Sequence, residues 1–180
     1  MEIVHITSRA NPRLKQVRSL QQRKARQQHA QLLLEGVRLI EDAFSAGFPP
    51  ALLLFDPDMA AGLSALLARA QQAGTELLSA PAALLAEAAD TVTPPGVLAV
   101  ASWPTLPPGQ SGLALMVDGV RDPGNLGTLL RSAAAAGVDQ VILLPGVTDV
   151  WAPKVLRAGM GAHFRVAIRQ AQGAAQAAEW

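Results

Sequence analysis

The chain has 180 residues, of which 50% are hydrophobic, and its formal net charge is +1; this length and composition allow one large or two small globular domains. The lack of Cys excludes disulfides, thiolate metal sites and a cysteine nucleophile, and the scattered His5, His29 and His163 predict no metal site. No apolar run has the length of a membrane span and no signal-like segment opens the sequence, so we expect a cytoplasmic protein without a membrane partner.

The positive charge is concentrated near the amino terminus. Residues 1–38 contain eight Lys or Arg and two acids, a balance of +6, which leaves −5 for the other residues. A basic segment on an acidic body is typical of proteins that contact nucleic-acid phosphates. A solvated helix face is the alternative interpretation. The basic residues of this segment are Arg9, Arg13, Lys15, Arg18, Arg23, Lys24, Arg26 and Arg38.

Helices and strands alternate along the first hundred residues. Asn11-Pro12 favours a helix start, and the residues through about Gln28 are strong helix formers. The second half of this helix lacks an apolar stripe, so we expect it to be free to contact a partner. Strands at 32–34, 52–55, 76–78 and 96–101, with helices at about 37–46, 59–73 and 81–89 between them, predict a small α/β sandwich.

A proline-rich segment follows this sandwich. Residues 102–111 contain three prolines and show no periodicity, which predicts an interdomain linker. The predicted domains are residues 1–102 and 112–180, joined by residues 103–111. Trp103 is interpreted as a packing residue, with a base-stacking platform as the alternative. Because only 4% of the residues are aromatic, we expect any RNA to be bound mainly through its shape and phosphates.

The second predicted domain opens with a strand, a loop, a helix and a strand. The apolar run Leu113–Val117 predicts a parallel strand buried on both faces, and residues 140–144 predict a second one. A helix at 126–136 lies between them and ends at Gly137. Open α/β sheets bind ligands at the carboxyl ends of their strands, where the loop 118–127 is expected. Beyond it we expect a short helix after Trp151, a strand at 164–168 and an Ala-rich helix at 170–180.

The loop itself contains acids, an amide and glycines. Asp122-Pro123 is one plausible helix start, and Asn125 is the alternative cap. Gly127 and Arg131 are four residues apart and share a helix face, so the missing side chain at position 127 predicts a space for a phosphate or sugar beside Arg131. The alternative is that the loop is only a turn and Arg131 a solvated helix residue, because short glycine motifs are weak signals.

These residues resemble a known family. Asp118, Asn125, Gly127 and Arg131, with the helix and strand after them, look like the first motif of the SpoU (TrmH-like) RNA ribose 2'-O-methyltransferases. Residues 152–165 are similar to the family's next block, and residues 8–15 and 33–38 match its amino-terminal RNA-binding domain. The resemblance covers nearly the whole chain, and several motifs in order are more specific than any single one.

The resemblance implies a fold and a reaction. The fold is α/β, with a ribosomal-protein-like α/β sandwich followed by a parallel-sheet, SpoU-type knotted methyltransferase domain. The reaction is S-adenosylmethionine-dependent 2'-O-methylation of a ribose in structured RNA, rRNA or tRNA, by a homodimer. The family's two later motifs, which form its knotted cofactor site, are absent from this sequence. We therefore expect residues 112–180 to be a truncated catalytic domain that binds the cofactor weakly or not at all.

The resemblance also implies residue roles. Arg131 is the implied catalytic residue. Because a guanidinium keeps its proton at neutral pH, we expect it to orient a phosphate and stabilise the developing 2'-oxyanion, whereas proton removal by Arg131 would need a perturbed site. Asn125 is expected to hold the loop or the ribose. Asp118 and Asp122 are expected to brace Arg131 or the loop amides, and together with Gly127 they form the loop support. Arg157 joins the basic residues of the amino terminus as a candidate RNA ligand.

Two functions of other classes stay open at this point. One is a non-enzymatic RNA-binding module, which the basic amino terminus and the absent cofactor motifs favour. The other is a nucleotide-binding α/β enzyme that holds phosphate at its glycine-containing loop.

Overall fold

The computed structural model of the chain describes residues 3–110 and 112–180. These residues form two compact units that divide between Trp103 and Pro104. The first two residues of the predicted first domain, Met1 and Glu2, and the last predicted linker residue, Ser111, lie outside the described residues. No helix in the described part of the chain is long and apolar enough to cross a membrane.

The first unit contains one mixed sheet of five strands in the order β1-β4-β3-β5-β2. The pairs β1/β4 and β3/β4 are parallel, whereas β5 is antiparallel to β3 and to β2. The elements are β1 (Val4–His5), α1 (Pro12–Ser19), α2 (Arg23–His29), β2 (Gln31–Glu35), α3 (Val37–Ser45), β3 (Leu52–Phe55), a 3₁₀ helix (Pro57–Leu63), α4 (Ser64–Gln72), β4 (Glu76–Ser79), α5 (Ala82–Ala88) and β5 (Val97–Ser102).

The predicted α/β sandwich is confirmed. One core cluster joins side chains of α1, α5 and the sheet, and it includes Leu14, Leu33, Leu54, Leu85 and Leu98. All four residues of β3 are buried, because this strand has a neighbour on each side and helices cover the sheet. The structure adds β1, a two-residue edge strand that the sequence did not predict.

The predicted single helix at 12–28 is wrong, because the chain breaks at residues 20–22 to give α1 and α2. Arg26 contacts the chain at this break and is only 3% exposed. Its Nη1 donates to the carbonyl oxygens of Leu20 at 2.6 Å and Gln21 at 2.7 Å. The guanidinium therefore satisfies carbonyls at the end of α1 that a continuous helix would bond internally.

Two other features of this unit refine the predictions. The predicted helix at 59–73 begins as the 3₁₀ helix, whose start is capped by Asp56 through the Asp58 amide at 3.1 Å, and continues as α4. Trp103 is half-buried, and its Nε1 donates to the Gln31 carbonyl at 3.1 Å. This contact agrees with the interpretation of Trp103 as a packing residue of the first unit.

The second unit contains a parallel sheet with the strand order β6-β7-β8. This arrangement confirms the predicted parallel α/β architecture. The elements are β6 (Ala114–Val117), α6 (Pro123–Ala135), β7 (Gln140–Leu143), α7 (Pro153–Gly159), a 3₁₀ helix (Ala162–Phe164), β8 (Ala167–Gln170) and α8 (Ala174–Ala178).

The prediction that the strand after Leu113 is buried on both faces is wrong. In β6 only Val117 is buried, while Leu113 and Met116 are 51% and 47% exposed. The central strand β7 is fully buried, as a continuous apolar run predicts. The two strands differ because β6 lies at one edge of the described sheet, whereas β7 is paired on both sides.

The predicted strand at 164–168 is displaced along the chain. Phe164 belongs to the second 3₁₀ helix, and β8 begins only at Ala167. Gly161, with φ +80°, begins that turn, and the Arg165 amide donates back to the Ala162 carbonyl at 2.9 Å. The apolar character of Phe164 therefore reflects burial within a turn and not a strand position.

Candidate active site

The loop between β6 and α6 is held at the carboxyl end of the sheet. The Leu144 amide donates to the Val117 carbonyl, and the Thr148 amide donates to the Val120 carbonyl, both at 2.9 Å. Gly119 turns the chain with φ +65°, in the left-handed region that favours glycine. The loops after β6 and β7 are therefore fastened to each other at the edge where open α/β sheets bind ligands.

Asp122 begins helix α6. Its side chain accepts a hydrogen bond from the Asn125 amide at 2.8 Å, and Pro123 occupies the first helical turn. Of the two predicted caps, the structure therefore selects Asp122. Because the cap uses the Asn125 backbone, the Asn125 side chain stays exposed at the loop surface.

A depression of about 480 Å³ lies over this loop. Asp122, Asn125 and Thr128 give it a polar lining, and Arg121 adds a positive charge. Asp118 is exposed at the end of β6. The remaining lining residues are Gly119, Val120 and Leu129. The depression therefore places the predicted Asn125 and Asp122 beside one another, where they could contact a polar ligand.

The prediction of an empty space beside Gly127 is wrong. A Cβ atom at this position would lie 2.8 Å from the Val155 carbonyl oxygen and would overlap the Ala158 side chain. Helix α7 therefore fills the space, and Gly127 is buried. The glycine supports the site because it allows α6 and α7 to approach closely, and it does not form a phosphate or sugar pocket.

Arg131 lies one turn beyond Gly127, and its side chain is exposed. Its Nη1 lies 2.9 Å from Sδ of Met160, the residue after α7. Among the contacts of the described residues, no ion pair joins Arg131 to Asp118 or Asp122. The structure therefore assigns Asp122 to the loop amides, and it does not show the predicted bracing of Arg131 by an acid.

Arg131 and Asn125 line different depressions. Arg131 borders a smaller one of about 140 Å³, together with Arg165 and Met160. The sequence did not single out Arg165 as a site residue. The only sequence signal for Arg165 was its position inside the second motif. The sequence could not place it at the same depression as Arg131, because that arrangement depends on the packing of α6 against α7.

The basic residues of the first unit differ in their surroundings. Arg9 and Arg18 both pair with Glu87, at 2.6 and 3.7 Å, and Arg13 pairs with Glu76 at 3.0 Å. These pairs are largely exposed, so they hold the side chains weakly. The remaining exposed basic residues of this segment are Lys15, Arg23, Lys24 and Arg38.

Two predicted RNA ligands are buried or half-buried in the protein. Arg26 is buried and bound to the carbonyls at the end of α1, so the prediction that it contacts phosphate is wrong. Arg157 is half-buried on α7, and its Nη1 is inaccessible to solvent. This burial favours a structural role for Arg157 within the second unit.

His163 is a buried polar residue that the sequence did not assign. Its Nε2 lies 2.9 Å from the Val150 carbonyl oxygen, and its ring lies 5.7 Å from that of Trp151. Burial lowers its pKa from 6.5 to about 4, against the opposing effect of the Val150 hydrogen bond. The neutral ring therefore packs beneath the turn that follows α7. Among the described residues, no group of three or more His, Asp or Glu side chains could hold a metal ion.

Family models match both units. Residues 11–99 match the MRM3-like substrate binding domain, and residues 112–180 match the SpoU rRNA Methylase family. The chain therefore combines a unit similar to a substrate binding domain with a unit similar to the SpoU methylases. The chain belongs to the SpoU rRNA methylase family.

Individual relatives agree with this assignment. The chain is 42% identical over 157 residues to human mitochondrial rRNA methyltransferase 3, covering 81% of this chain and 36% of that protein. The AdoMet-bound rRNA methyltransferase from Sinorhizobium meliloti superposes with a TM-score of 0.84 and 28% identity, covering 99% of this chain and 68% of that one. A solved RNA 2'-O ribose methyltransferase superposes with a TM-score of 0.76 and 34% identity, covering 98% of this chain and 69% of that one. The chain thus spans about a third of the length of the human relative.

Proposed function

We propose that the whole protein transfers a methyl group from S-adenosylmethionine to a ribose 2'-hydroxyl of structured RNA, rRNA or tRNA. The observation that carries the proposal is the superposition on an RNA 2'-O ribose methyltransferase over 98% of this chain at 34% identity. A related structure with AdoMet bound supports the choice of methyl donor. We further propose that the protein acts as a homodimer in the cytoplasm.

The proposal assigns different roles to the two units. Residues 1–102 bind the RNA, residues 103–111 link the units, and residues 112–180 provide the amino-terminal part of the methyltransferase domain, without its knot. The exposed Lys15, Arg23, Lys24 and Arg38 support RNA binding, because exposed cations of this kind contact phosphates. Arg9, Arg13 and Arg18 contribute after exchanging their carboxylate partners for phosphate oxygens.

Arg131 is the proposed catalytic residue of this chain. A ribose hydroxyl loses its proton as it is methylated, so negative charge develops on the 2'-oxygen. The exposed Arg131 guanidinium contacts a thioether, and no acid among the described residues pairs with it, so it is available to that oxygen or to a neighbouring phosphate. A guanidinium has five N–H donors and no acceptor, so this side chain stabilises negative charge and is a poor proton acceptor.

The loop between β6 and α6 is proposed to hold the ribose. The Asn125 side chain offers both a donor and an acceptor to sugar hydroxyls, and the capped backbone behind it fixes its place. Asp118 and Asp122 support this loop, Asp122 through the Asn125 amide. Gly127 keeps α6 against α7, which holds Arg131 near the turn after α7.

The described residues do not fit S-adenosylmethionine as a complete cofactor site. Pockets for small molecules enclose most of the ligand surface. By contrast, Asp122, Asn125, Thr128 and Leu129, which line the larger depression of this unit, are all exposed. We therefore assign no reaction step to a cofactor bound by these residues. We propose that the 180-residue chain binds the cofactor more weakly than the whole protein.

A methyl-transfer assay tests the proposal. The whole protein is incubated with S-adenosylmethionine carrying a labelled methyl group and with ribosomal RNA or total tRNA. We expect the label in RNA, in a nucleotide whose 3'-linkage resists alkali, because a 2'-O-methyl group blocks cleavage there. Label in a base, or no label in either RNA when the protein is folded and binds the cofactor, would contradict the proposal. Calorimetry with the 180-residue chain and the whole protein compares their cofactor affinities.

A further inference from the structure

The first unit contains an apolar pocket of about 500 Å³ at one edge of its sheet. Its lining includes Asp56, which directly follows β3, and Ala82, which begins α5 shortly after β4. Because β3 and β4 are parallel, the pocket lies at the carboxyl ends of two strands, where open α/β sheets bind ligands. Its volume is within the range of about 300–1,000 Å³ that is usual for small-molecule sites. The pocket can therefore hold a ligand of the size of one nucleobase.

Backbone hydrogen bonds hold the walls of this pocket in place. The Asp56 amide donates to the Gly96 carbonyl at 2.9 Å, and the Met59 amide donates to the Asp56 carbonyl at 3.0 Å. A Cβ atom at Gly96 would lie 3.0 Å from Cγ of Met59, so Met59 packs against this glycine. Asp56 is the only charged side chain that the described residues contribute to the lining. The pocket is therefore apolar except for one carboxylate.

The Asp56 carboxylate has one oxygen that no described residue binds. The residue is only 9% exposed, and its Oδ1 accepts from the Asp58 amide at 3.1 Å. Its Oδ2 forms no hydrogen bond or ion pair with the described residues, and it is not one of their solvent-inaccessible, unpaired polar atoms. Oδ2 is therefore accessible to solvent. A ligand that offers an N–H donor can bind this oxygen.

Apolar walls and one carboxylate fit an unstacked guanine base. Bases that leave the RNA stack are bound by apolar or aromatic side chains and are read through hydrogen bonds to their Watson–Crick edge. A carboxylate only accepts, and guanine is the RNA base with two adjacent donors on that edge, N1–H and N2–H. Both oxygens of Asp56 can take part, because Oδ1 keeps a second lone pair beside its bond to the Asp58 amide. The other three bases present an acceptor next to their donor, and this acceptor would face the carboxylate unfavourably.

The chain beside the pocket carries a positive charge. A Cβ atom at Gly36 would lie 3.7 Å from Pro95 of the pocket wall, so the start of α3 lies next to the pocket. Arg38, in the first turn of α3, is exposed and has no hydrogen bond or ion pair with the described residues. This charge favours a nucleotide, whose phosphate is anionic, over a ligand that is only cationic.

We propose that this pocket binds an unstacked guanine of the RNA substrate, with Asp56 as the base-specific acceptor. The inference rests on the proposed function for the identity of the substrate. It adds base-specific recognition to a unit whose other expected RNA contacts are with phosphates. Asp56 belongs to the first unit and is therefore expected to act in RNA binding and not in the methyl-transfer step.

Ribonucleoside 5'-monophosphates are the direct probes, because the four differ only in the base. Methyl signals of Met59, Ala83 and Ala86 in the 180-residue chain are followed by NMR during titration with each of them. We expect guanosine monophosphate to shift these signals along one saturating curve. It should bind about fivefold or more tighter than the adenosine, cytidine and uridine compounds, because a bidentate contact discriminates against a base that cannot form it.

Asp56→Asn isolates the carboxylate. Asn keeps an oxygen for the Asp58 amide but replaces the other acceptor with an NH₂ group, so guanosine monophosphate should bind about tenfold or more weakly and lose its advantage over the other three. Asp58→Asn is the matched control, because it removes the same charge from an exposed neighbour outside the lining, and it should change the affinity less than about twofold. Ala86→Leu adds bulk to the lining and should weaken all four compounds, which tests the pocket independently of Asp56. Urea denaturation verifies that each variant is folded.

Equal affinities for the four monophosphates, or unchanged binding of guanosine monophosphate by folded Asp56→Asn, would overturn the inference. A pocket that holds a protein segment instead would leave the lining signals unmoved by every nucleotide, which would also overturn it. In the whole protein, Asp56→Asn should raise the KM for RNA about tenfold with kcat near normal. Guanine-specific binding without any RNA methylation would overturn only the proposed function. Methylation without a base preference in the pocket would overturn only the inference.

Discussion

Two strands of similar composition have opposite surroundings in the two units. β3, Leu52–Phe55, is buried at every residue, whereas β6, Ala114–Val117, is buried only at Val117. β3 is the middle strand of five, and β6 lies at an edge of the described three-stranded order. The comparison teaches that an apolar run specifies a strand, while its neighbours in the sheet determine how much of it is buried.

The same contrast extends to charged side chains. In the first unit, Arg26 is buried and bonded to backbone carbonyls. In the second unit, Arg131 is exposed and is in contact with a sulfur atom. An arginine in a sequence motif therefore has a structural or a functional role according to what its guanidinium contacts. Substitutions that compare matched residues can separate the two roles.

The largest effect is expected for a residue of the buried strand. Leu53→Ala should reduce the free energy of unfolding of the first unit by about 2–5 kcal/mol, because Leu53 is fully buried and its truncation leaves a cavity. Met116→Ala in β6 should cost less than about 1 kcal/mol, because that side chain is 47% exposed. Urea denaturation of both variants measures the difference. Equal losses would contradict the contrast between the two strands.

A pH-dependent loss of stability is expected in the second unit. His163 has a folded-state pKa of about 4, below its unfolded value of 6.5. The stabilisation that the neutral ring provides is therefore complete above about pH 6.5 and is lost as the pH falls toward 4, because the unfolded state binds the proton more readily. The free energy of unfolding should fall by on the order of 3 kcal/mol over this range. Thermal unfolding between pH 7 and 4 measures this loss. His163→Gln should flatten the pH profile over that window, and an unchanged profile would show that His163 is not its cause.

A catalytic effect of similar size is expected for Arg131. Arg131→Ala in the whole protein should lower turnover about a hundredfold or more, about 2.7 kcal/mol, because it removes charge stabilisation at the 2'-oxygen. Arg131→Lys should recover little if two oxygens are held at once. Steady-state kinetics and cofactor titration measure the two variants, with Lys154→Ala as the control. Turnover within a few-fold of the original in both Arg131 variants would make Arg131 a solvated helix residue.

The smallest effects distinguish two neighbouring basic residues of α2. Arg26→Gln should lower the free energy of unfolding by about 1.5–3 kcal/mol, because two hydrogen bonds from a charged group to a buried and a half-buried carbonyl are lost. Lys24→Gln should leave stability within about 0.5 kcal/mol. It should instead reduce the salt dependence of RNA binding by about one unit of slope. Urea denaturation measures the stability of both variants, and RNA binding at several salt concentrations measures the slope of the salt dependence. A stable Arg26→Gln variant with a reduced salt slope would restore Arg26 as an RNA ligand.

The sequence by itself determined most elements of the fold. Periodicity and turn residues predicted β3 at its observed bounds and placed β2, β4, β5 and β7 within one or two residues. These predictions succeed because local patterns and caps, such as Pro12 in α1 and Asp122 before α6, act over a few neighbouring residues. Asn125, Asp122 and Arg131 were also identified from the sequence, through ordered motifs that resemble a family.

Only the tertiary structure decided what those side chains contact. At the break after Ser19, the Arg26 guanidinium bonds carbonyls five and six residues earlier in the chain. The role of Gly127 depends on Ala158, and the depression at Arg131 depends on Met160 and Arg165, all about thirty residues away in sequence. Sequence spacing places two residues on one face of a helix, but it does not specify which other helix covers that face. That choice follows from the packing of α6 against α7, because contacts between distant segments have no periodic signal in the sequence.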